Sequence, residues 1–443
     1  MQKIRYFFRQ KTRFSKISLY LQKIKDMKCN INHEDYGLPL ESSLSSQIYD
    51  ALQGNIVEQL MEMAKTQNPT NYFRSILEGH SFKVEQATLP HYYNMFQEIK
   101  EQLGFEDNID FYVTGDSSVN AYSICSMNPE EPNIINVNSS LVELMTDDEL
   151  RFVIGHEMGH LINGNTKLTR LIDFVYSNKE ETPITLQYKI RLWGQLNELI
   201  ADRYGFLAMP NINVCISAFF KMASGLDFDK MKMNIENFIE DNKKRLDFFR
   251  NDKGLNFDVH PVNPIRVEAL NIFAKSEFFV KDGTSRQELN NEMDDLISIL
   301  LRVRNSELDV YMTDYIVSAG IIMSNSDGEM SEKELEIILD ELSATQIFPG
   351  EFINEIFKLE KDQIISMFIQ STHKILEINP NLREALFIYL IQIMMADKKI
   401  DTNEINTLIQ MANDFFGYQQ VEAANIILEM LKNNFTPNVI SLY

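Results

Sequence analysis

Cysteine is scarce in this chain of 443 residues. Cys29, Cys125 and Cys215 are too few for a disulfide framework and lack the spacing of a zinc knuckle, so a reducing, cytoplasmic setting is the expectation. Long apolar runs are also missing. A bilayer span needs about eighteen or more such residues. The best stretch, Ala385–Ala396, is shorter and carries Gln392, so it reads as a buried helix. Bases are outnumbered, 42 Lys+Arg against 64 Asp+Glu, for a net charge of −22. That balance excludes non-specific nucleic-acid binding, because most of the surface would repel a polyphosphate. Low-complexity tracts are absent. What is present, 44% apolar and 24% charged residues, is an ordinary globular composition, and the length allows roughly two to four domains.

The charge is unevenly spread. Residues 1–28 hold nine bases and one acid, a net +8, which leaves −30 for the rest. This lead lacks the continuous apolar core of a secretory signal. Its bases alternate with Phe, Ile, Leu and Tyr, and it reads first as a basic helix docked on the acidic body. The alternatives are peripheral contact with an anionic membrane and an organelle presequence.

Helical periodicity runs from Ser46 to Ala64 and again from His91 to Leu103, ending at Gly104. Two segments alternate like strands, Ile109–Thr114 and Asn133–Asn138, and from Asp147 the pattern is helical almost to the end. A polar stretch near 280–286 containing Gly283 marks the division expected between a body of residues 35–282 and a helical part of residues 287–443, with 1–34 as the basic lead. The expected class is α+β, mostly helical, with one small sheet. Thr146 followed three residues later by Glu149 is a capping box, so a helix is predicted to start at Asp147.

That helix carries His156-Glu157-Met158-Gly159-His160, an H-E-x-x-H sequence. Histidines at i and i+4 project from one face, so both rings can reach a single ion. Zinc suits such a site, since it polarises a carbonyl and lowers the pKa of a water whose proton Glu157 can take. The motif needs a third ligand. The thermolysin-type spacing lands on Glu180, in a polar stretch just before Pro183, where a loop is expected. Glu198 lies in the helical QLNELIADRYG and has Asp202 one turn on, a pairing that suits a ligand with a carboxylate orienting a zinc-bound histidine. Glu198 is therefore favoured. The metzincin pattern is excluded, because Asn163 and Thr166 stand where it requires glycine and histidine. His33, His80, His91 and His373 are isolated, and Trp193 and the dispersed Phe and Met residues read as core.

HEMGH followed by NELIAD resembles the gluzincin family that contains HtpX and the type I CAAX prenyl protease. Asn120-Ala121-Tyr122, Ile134–Leu141, Asp148-Glu149-Leu150 and His260-Pro261 with Arg266 are similar to further segments of that family, over about residues 35–275. The resemblance implies a zincin-type metallopeptidase with one Zn2+ held by His156, His160 and Glu198. Glu157 would be the general base, and Asp202 would support a ligand. His260 would stand near the reacting carbonyl, and Arg266 would pair with Glu198 or Asp202. Asn133–Asn138 would be an edge strand that receives an extended peptide, with Asn120, Ala121, Asn133, Ile135 and Val137 at the substrate. Without transmembrane helices, a soluble endopeptidase acting on peptides or unfolded proteins is the expectation.

Residues 287–443 contain a weak duplication, Asp327–Glu334 against Asp397–Glu404, seventy residues apart. Each copy follows an apolar helix and ends in a capping box, Ser331 with Glu334 and Asp401 with Glu404, which reads as two helix–turn–helix units in one bundle. An EF-hand is excluded, because its first ligand would be Met323 or Ile393. The pattern resembles the tellurite-resistance TerB-like helical domain, which implies a module that docks a protein partner or restricts access to the site. The competing function is a non-catalytic, zinc-stabilised scaffold binding partners through this module.

Overall fold

Prolines, caps and left-handed glycines set the order of elements. The computed structural model describes residues 35–63, 69–126, 130–177, 182–227, 231, 234–251, 260–304, 306–325, 330–343, 345–346, 349–396, 400 and 402–434. Helix α1 (Pro39–Ala51) starts on a proline, and α2 (Gly54–Met63) follows a break at Gln53, whose φ is 54°. The single helix expected from Ser46 is therefore two. α3 (Pro69–His80) leads into β1 (Ser81–Lys83), and α4 (Pro90–Gln102) ends just before Gly104 at φ 67°. β2 (Ile109–Thr114), β3 (Ala121–Ile124) and β4 (Asn133–Asn138) precede α5 (Ser139–Leu144), α6 (Asp147–Ile162), α7 (Asn165–Val175) and the long α8 (Ile184–Ala208). Then come α9 (Ile212–Ser224), α10 (Ile235–Asn251), α11 (Asn263–Ala274) and α12 (Arg286–Arg304). The remainder is helical: α13 (Glu307–Ser324), α14 (Glu332–Leu342), α15 (Pro349–Ile356), α16 (Lys361–Ile378), α17 (Arg383–Met395), α18 (Thr402–Phe416) and α19 (Gln420–Asn434). The class is α+β and mostly helical, as the sequence reads.

The sheet has the order β1-β2-β4-β3. β2 and β4 run parallel, with Ile109 opposite Asn133 and Thr114 opposite Asn138, while β1 and β3 flank them antiparallel. This corrects the expected edge strand. β4 is paired on both sides and every one of its residues is buried, so Asn133, Ile135 and Val137 have no free backbone edge to offer a peptide. Ile135 and Val137 pack instead into the main core with Phe111. The asparagines of the segment are satisfied internally. Thr114 Oγ1 donates to Asn136 Oδ1 at 2.7 Å, and Asn138 Nδ2 donates to Ser118 Oγ at 2.8 Å. The edge beside the motif helix is β3, which carries Ala121 and follows Asn120.

Among the described residues two large apolar cores form, beside a small cluster of Leu77, Tyr112 and Ile134. The first gathers side chains from Tyr36 to Leu300 around α6, α8 and α11, and the second runs from Met312 to Ile427. Leu289, Met293, Leu296 and Leu300 of α12 belong to the first core, so the cores part after α12 rather than near 280–286. In the helical part, Ser331 caps α14 with Glu334 as a full capping box, and α14 and α18 start seventy residues apart. Met323 and Ile393 are fully buried. Asp327, Asp397 and Asp401 lie outside the described residues, as do the basic lead and Glu180. Among the described residues no helix is long and apolar enough to cross a membrane.

Candidate metal centre

α6 begins where the capping box predicts. Thr146 Oγ1 accepts from the Glu149 N–H at 3.3 Å, and the Glu149 carboxylate accepts from the Thr146 N–H at 2.7 Å. Glu149 is buried and held further by α9. Ser217 Oγ donates to Oε1 at 2.5 Å, and Lys221 Nζ donates to Oε2 at 2.8 Å and to the Leu144 carbonyl at 3.1 Å. The start of the motif helix is thus fixed by charge as well as by its cap.

Small residues let α6 lie directly on α8. A Cβ at Gly155 would meet Ala208 Cβ at 2.4 Å, and one at Gly159 would meet Tyr204 Cβ at 2.8 Å and Ala201 Cα at 3.0 Å. From the other side, a Cβ at Gly205 would fall 2.7 Å from the Phe152 ring. At that separation, side chains alternating with the glycines on α6 reach side chains one turn apart on α8. His156 and His160 accordingly meet Glu198 and Asp202.

The three expected ligands converge. His156 Nε2 and His160 Nε2 are 3.1 Å apart, His160 Nε2 is 3.4 Å from Glu198 Oε1, and His156 Nε2 is 3.7 Å from Glu198 Oε2. Tetrahedral zinc with ligand bonds of about 2.0–2.2 Å sets its donor atoms about 3.3 Å apart, so this donor set fits the ion in number, chemistry and spacing. The outer nitrogens of the rings are also held. His156 Nδ1 lies 2.9 Å from Asp202 Oδ1, and His160 Nδ1 lies 2.9 Å from the Asn165 amide nitrogen at the start of α7. Asp202, only 2% exposed, takes two hydrogen bonds from Arg266 of α11, whose guanidinium also stands 3.5 Å from Glu198 Oε2 and lies over the Phe219 ring.

The electrostatics follow from this packing. For Glu198, burial works to raise the pKa. The hydrogen bond from His260 and the charges of Arg266, His160 and His156 outweigh it, and the carboxyl is held well below the usual range. Burial pulls His160 down to about 4, helped by the charge of His156, so this ring is neutral. His156 is raised, because the Asp202 hydrogen bond and charge overcome the desolvation that would lower it. Glu157, 7% exposed, is raised chiefly by burial, and Ser123 of β3 hydrogen-bonds it. A carboxyl raised in this way is a better proton acceptor.

His260 stands at the mouth. Its side chain is 69% exposed, and Nδ1 contacts Glu198 Oε2 at 3.2 Å. Asn120 and Ala121 lie at the start of the edge strand, whereas Asn133, Ile135 and Val137 are interior. Three contributors were not foreseen: Ser123, Asn165 and the Asn163–Asn197 pair, in which Asn163 Nδ2 donates to Asn197 Oδ1 at 2.7 Å beside Glu198. A clue to Asn165 was its position just past the left-handed Gly164 that closes the motif helix.

Residues 92–178, from α4 to just past α7, match the model of peptidase family M48. The plastoglobule-localized metallopeptidase 48, chloroplastic, of Arabidopsis thaliana is 27% identical over 197 residues, 43% of this chain and 53% of the relative. The chain thus spans about half the length of the curated relative it matches. No solved structure matches the chain. Over β2, β3, β4, the motif helix and α7, this chain is similar to metallopeptidases of that family.

Proposed function

We propose that the chain is a zinc-dependent endopeptidase acting on peptides or unfolded proteins, with His156, His160 and Glu198 as metal ligands. The observation that carries this reading is the donor triangle of 3.1, 3.4 and 3.7 Å with Glu157 adjoining it. A zinc ion held there supplies Lewis-acid polarisation of a carbonyl and a lowered water pKa. The chain's own residues do the rest. Glu157, buried and steadied by Ser123, accepts the proton of the attacking water and returns it to the leaving amine. His260, reaching over Glu198 from the exposed mouth, donates to the oxygen of the carbonyl as charge builds there. The outer edge of β3, beginning at Ala121 and unpaired among the described residues, receives the substrate backbone as an added strand beside Glu157.

The helical part from α13 onward is proposed as a separate TerB-like module that docks a partner or limits access. It touches the peptidase part at α14, where Ser343 Oγ donates to Gln47 Oε1 at 2.9 Å and Glu341 stands 3.8 Å from Lys189 of α8. The test of the main reading compares wild type with Glu157→Gln on an unfolded protein, with zinc content measured by mass spectrometry. Cleavage by wild type alone at equal zinc is expected. Equal cleavage by both overturns the mechanism, and cleavage by neither supports the scaffold.

A further inference from the structure

We propose that Asn165 is a positioning residue that sets the tautomer of His160, and through it decides whether that ring can hold a metal ion. This rests on the reading of His156, His160 and Glu198 as a metal site.

A neutral imidazole carries one N–H and can ligate only through its other nitrogen, and the hydrogen bond at the outer nitrogen selects between the two forms. Nε2 of His160 points at His156 Nε2 and Glu198, so Nε2 is the ligating atom and the proton must sit on Nδ1. The hydrogen-bond partner that Nδ1 finds is the Asn165 side chain, 2.9 Å away. An amide is ambivalent at this position. With Nδ2 toward the ring it donates to Nδ1, the proton is forced onto Nε2, and the ligand position is filled by an N–H directed at Glu198. With Oδ1 toward the ring it accepts Nδ1–H, and the Nε2 lone pair is free.

As the amide stands, Nδ2 faces the ring, and Oδ1 is buried with no hydrogen-bond partner among the described residues. Turning the amide over therefore breaks no bond at Oδ1 and exchanges one ring contact for the other. His156 is built differently. Its Nδ1 faces a carboxylate, Asp202, which can only accept and is clamped by Arg266, so the ligating tautomer of that ring is fixed. The two histidines of the motif are unequal ligands: one permanently set, the other set by a side chain with two faces.

The test uses the full chain with Asn165→Asp and Asn165→Leu, both close to isosteric. Asp can only accept, and Leu can do neither. Zinc affinity is read by competition with a chromophoric chelator, and histidine tautomers by long-range 1H–15N spectra of 15N-histidine-labelled protein. Leu should weaken zinc about 10- to 100-fold, whereas Asp should bind at least as tightly as wild type and shift His160 to the Nδ1–H form. A merely structural role for Asn165 would weaken both variants alike, and that result, or a His160 tautomer indifferent to the substitutions, overturns the proposal. His160→Ala separates the two levels. If it keeps wild-type zinc affinity, the metal-site reading has failed; if it loses zinc while Asn165→Leu does not, only the role of Asn165 has failed.

Discussion

Arg266 grips Asp202 with two parallel hydrogen bonds, Nε to Oδ2 at 2.9 Å and a terminal nitrogen to Oδ1 at 2.6 Å. Oδ1 also meets His156 Nδ1, so the guanidinium aims the carboxylate that aims the ring. Lysine cannot reproduce the planar two-point contact. Arg266→Lys should therefore lower zinc affinity about 10-fold, within the range typical of groups that orient a metal ligand. Arg266→Met, which leaves Asp202 buried without its cation, should also destabilise the fold by about 3–5 kcal/mol. Equilibrium zinc competition and urea unfolding check the two effects separately.

The contact between α6 and α8 gives a prediction in which two opposed effects compete. Glycine to alanine in a helix ordinarily gains up to about 1 kcal/mol. At Gly155 and Gly159 the added methyl would stand under 3 Å from Ala208 Cβ or Tyr204 Cβ, and overpacking of this kind costs about 1–3 kcal/mol. The clash should win at both positions, so each alanine variant loses stability and separates Glu198 from the histidines. Gly79→Ala in α3, where nothing lies within 4 Å, is the control and should be neutral or slightly stabilising. Thermal unfolding of the three variants decides it.

Much of this is legible in the sequence. The Thr146–Glu149 box announces where α6 begins, and the period of His156, His160, Glu198 and Asp202 announces which faces meet. What escaped was set by partners distant in sequence. Asn136 and Asn138 make β4 look half-exposed, yet Thr114 and Ser118 satisfy them in the interior, and a central strand was mistaken for an outer one. The true edge, Ala-Tyr-Ser-Ile, is too short to show alternation. Gln53 interrupts α1 and α2 with a left-handed backbone that no proline signals. Asn165 reaches His160 only because the Gly164 turn brings α7 back toward the site.

Glu41 supplies a pH prediction. Its carboxylate is buried against α8, where Trp193 Nε1 donates to it at 2.9 Å. Burial raises its pKa, and the hydrogen bonds from Trp193 and Asn163 only partly oppose this. The folded state therefore holds this proton more tightly than the unfolded chain does. Its contribution to stability is full below the ordinary glutamate value and is lost as pH rises through the raised one. Glu41→Gln keeps an acceptor for the indole and removes the titration. The stability of the variant relative to wild type should increase with pH across that window and level off above it. Trp193, the single tryptophan of the chain, reports unfolding directly by fluorescence. A difference that stays constant with pH would mean that Glu41 does not carry the linkage.

The buried pair of Glu149 and Lys221 sets the last prediction, because here the cap of the motif helix and an internal charge are one object. Lys221→Met strands a carboxylate that is 4% exposed, leaving it only the hydrogen bonds from Thr146 and Ser217, and should cost about 3–5 kcal/mol. Glu149→Gln alone leaves the ammonium with the Leu144 carbonyl and with Asp227, 3.5 Å away, and should cost less. An amide at 149 can still accept from the Thr146 N–H, so the helix start survives. The double variant should then be more stable than Lys221→Met, since it removes the stranded charge rather than adding a second injury. A coupling of about 1–3 kcal/mol in urea unfolding is the expected result. Additive losses would instead assign Glu149 to the cap alone and leave Lys221 no part in fixing where the metal-binding helix begins.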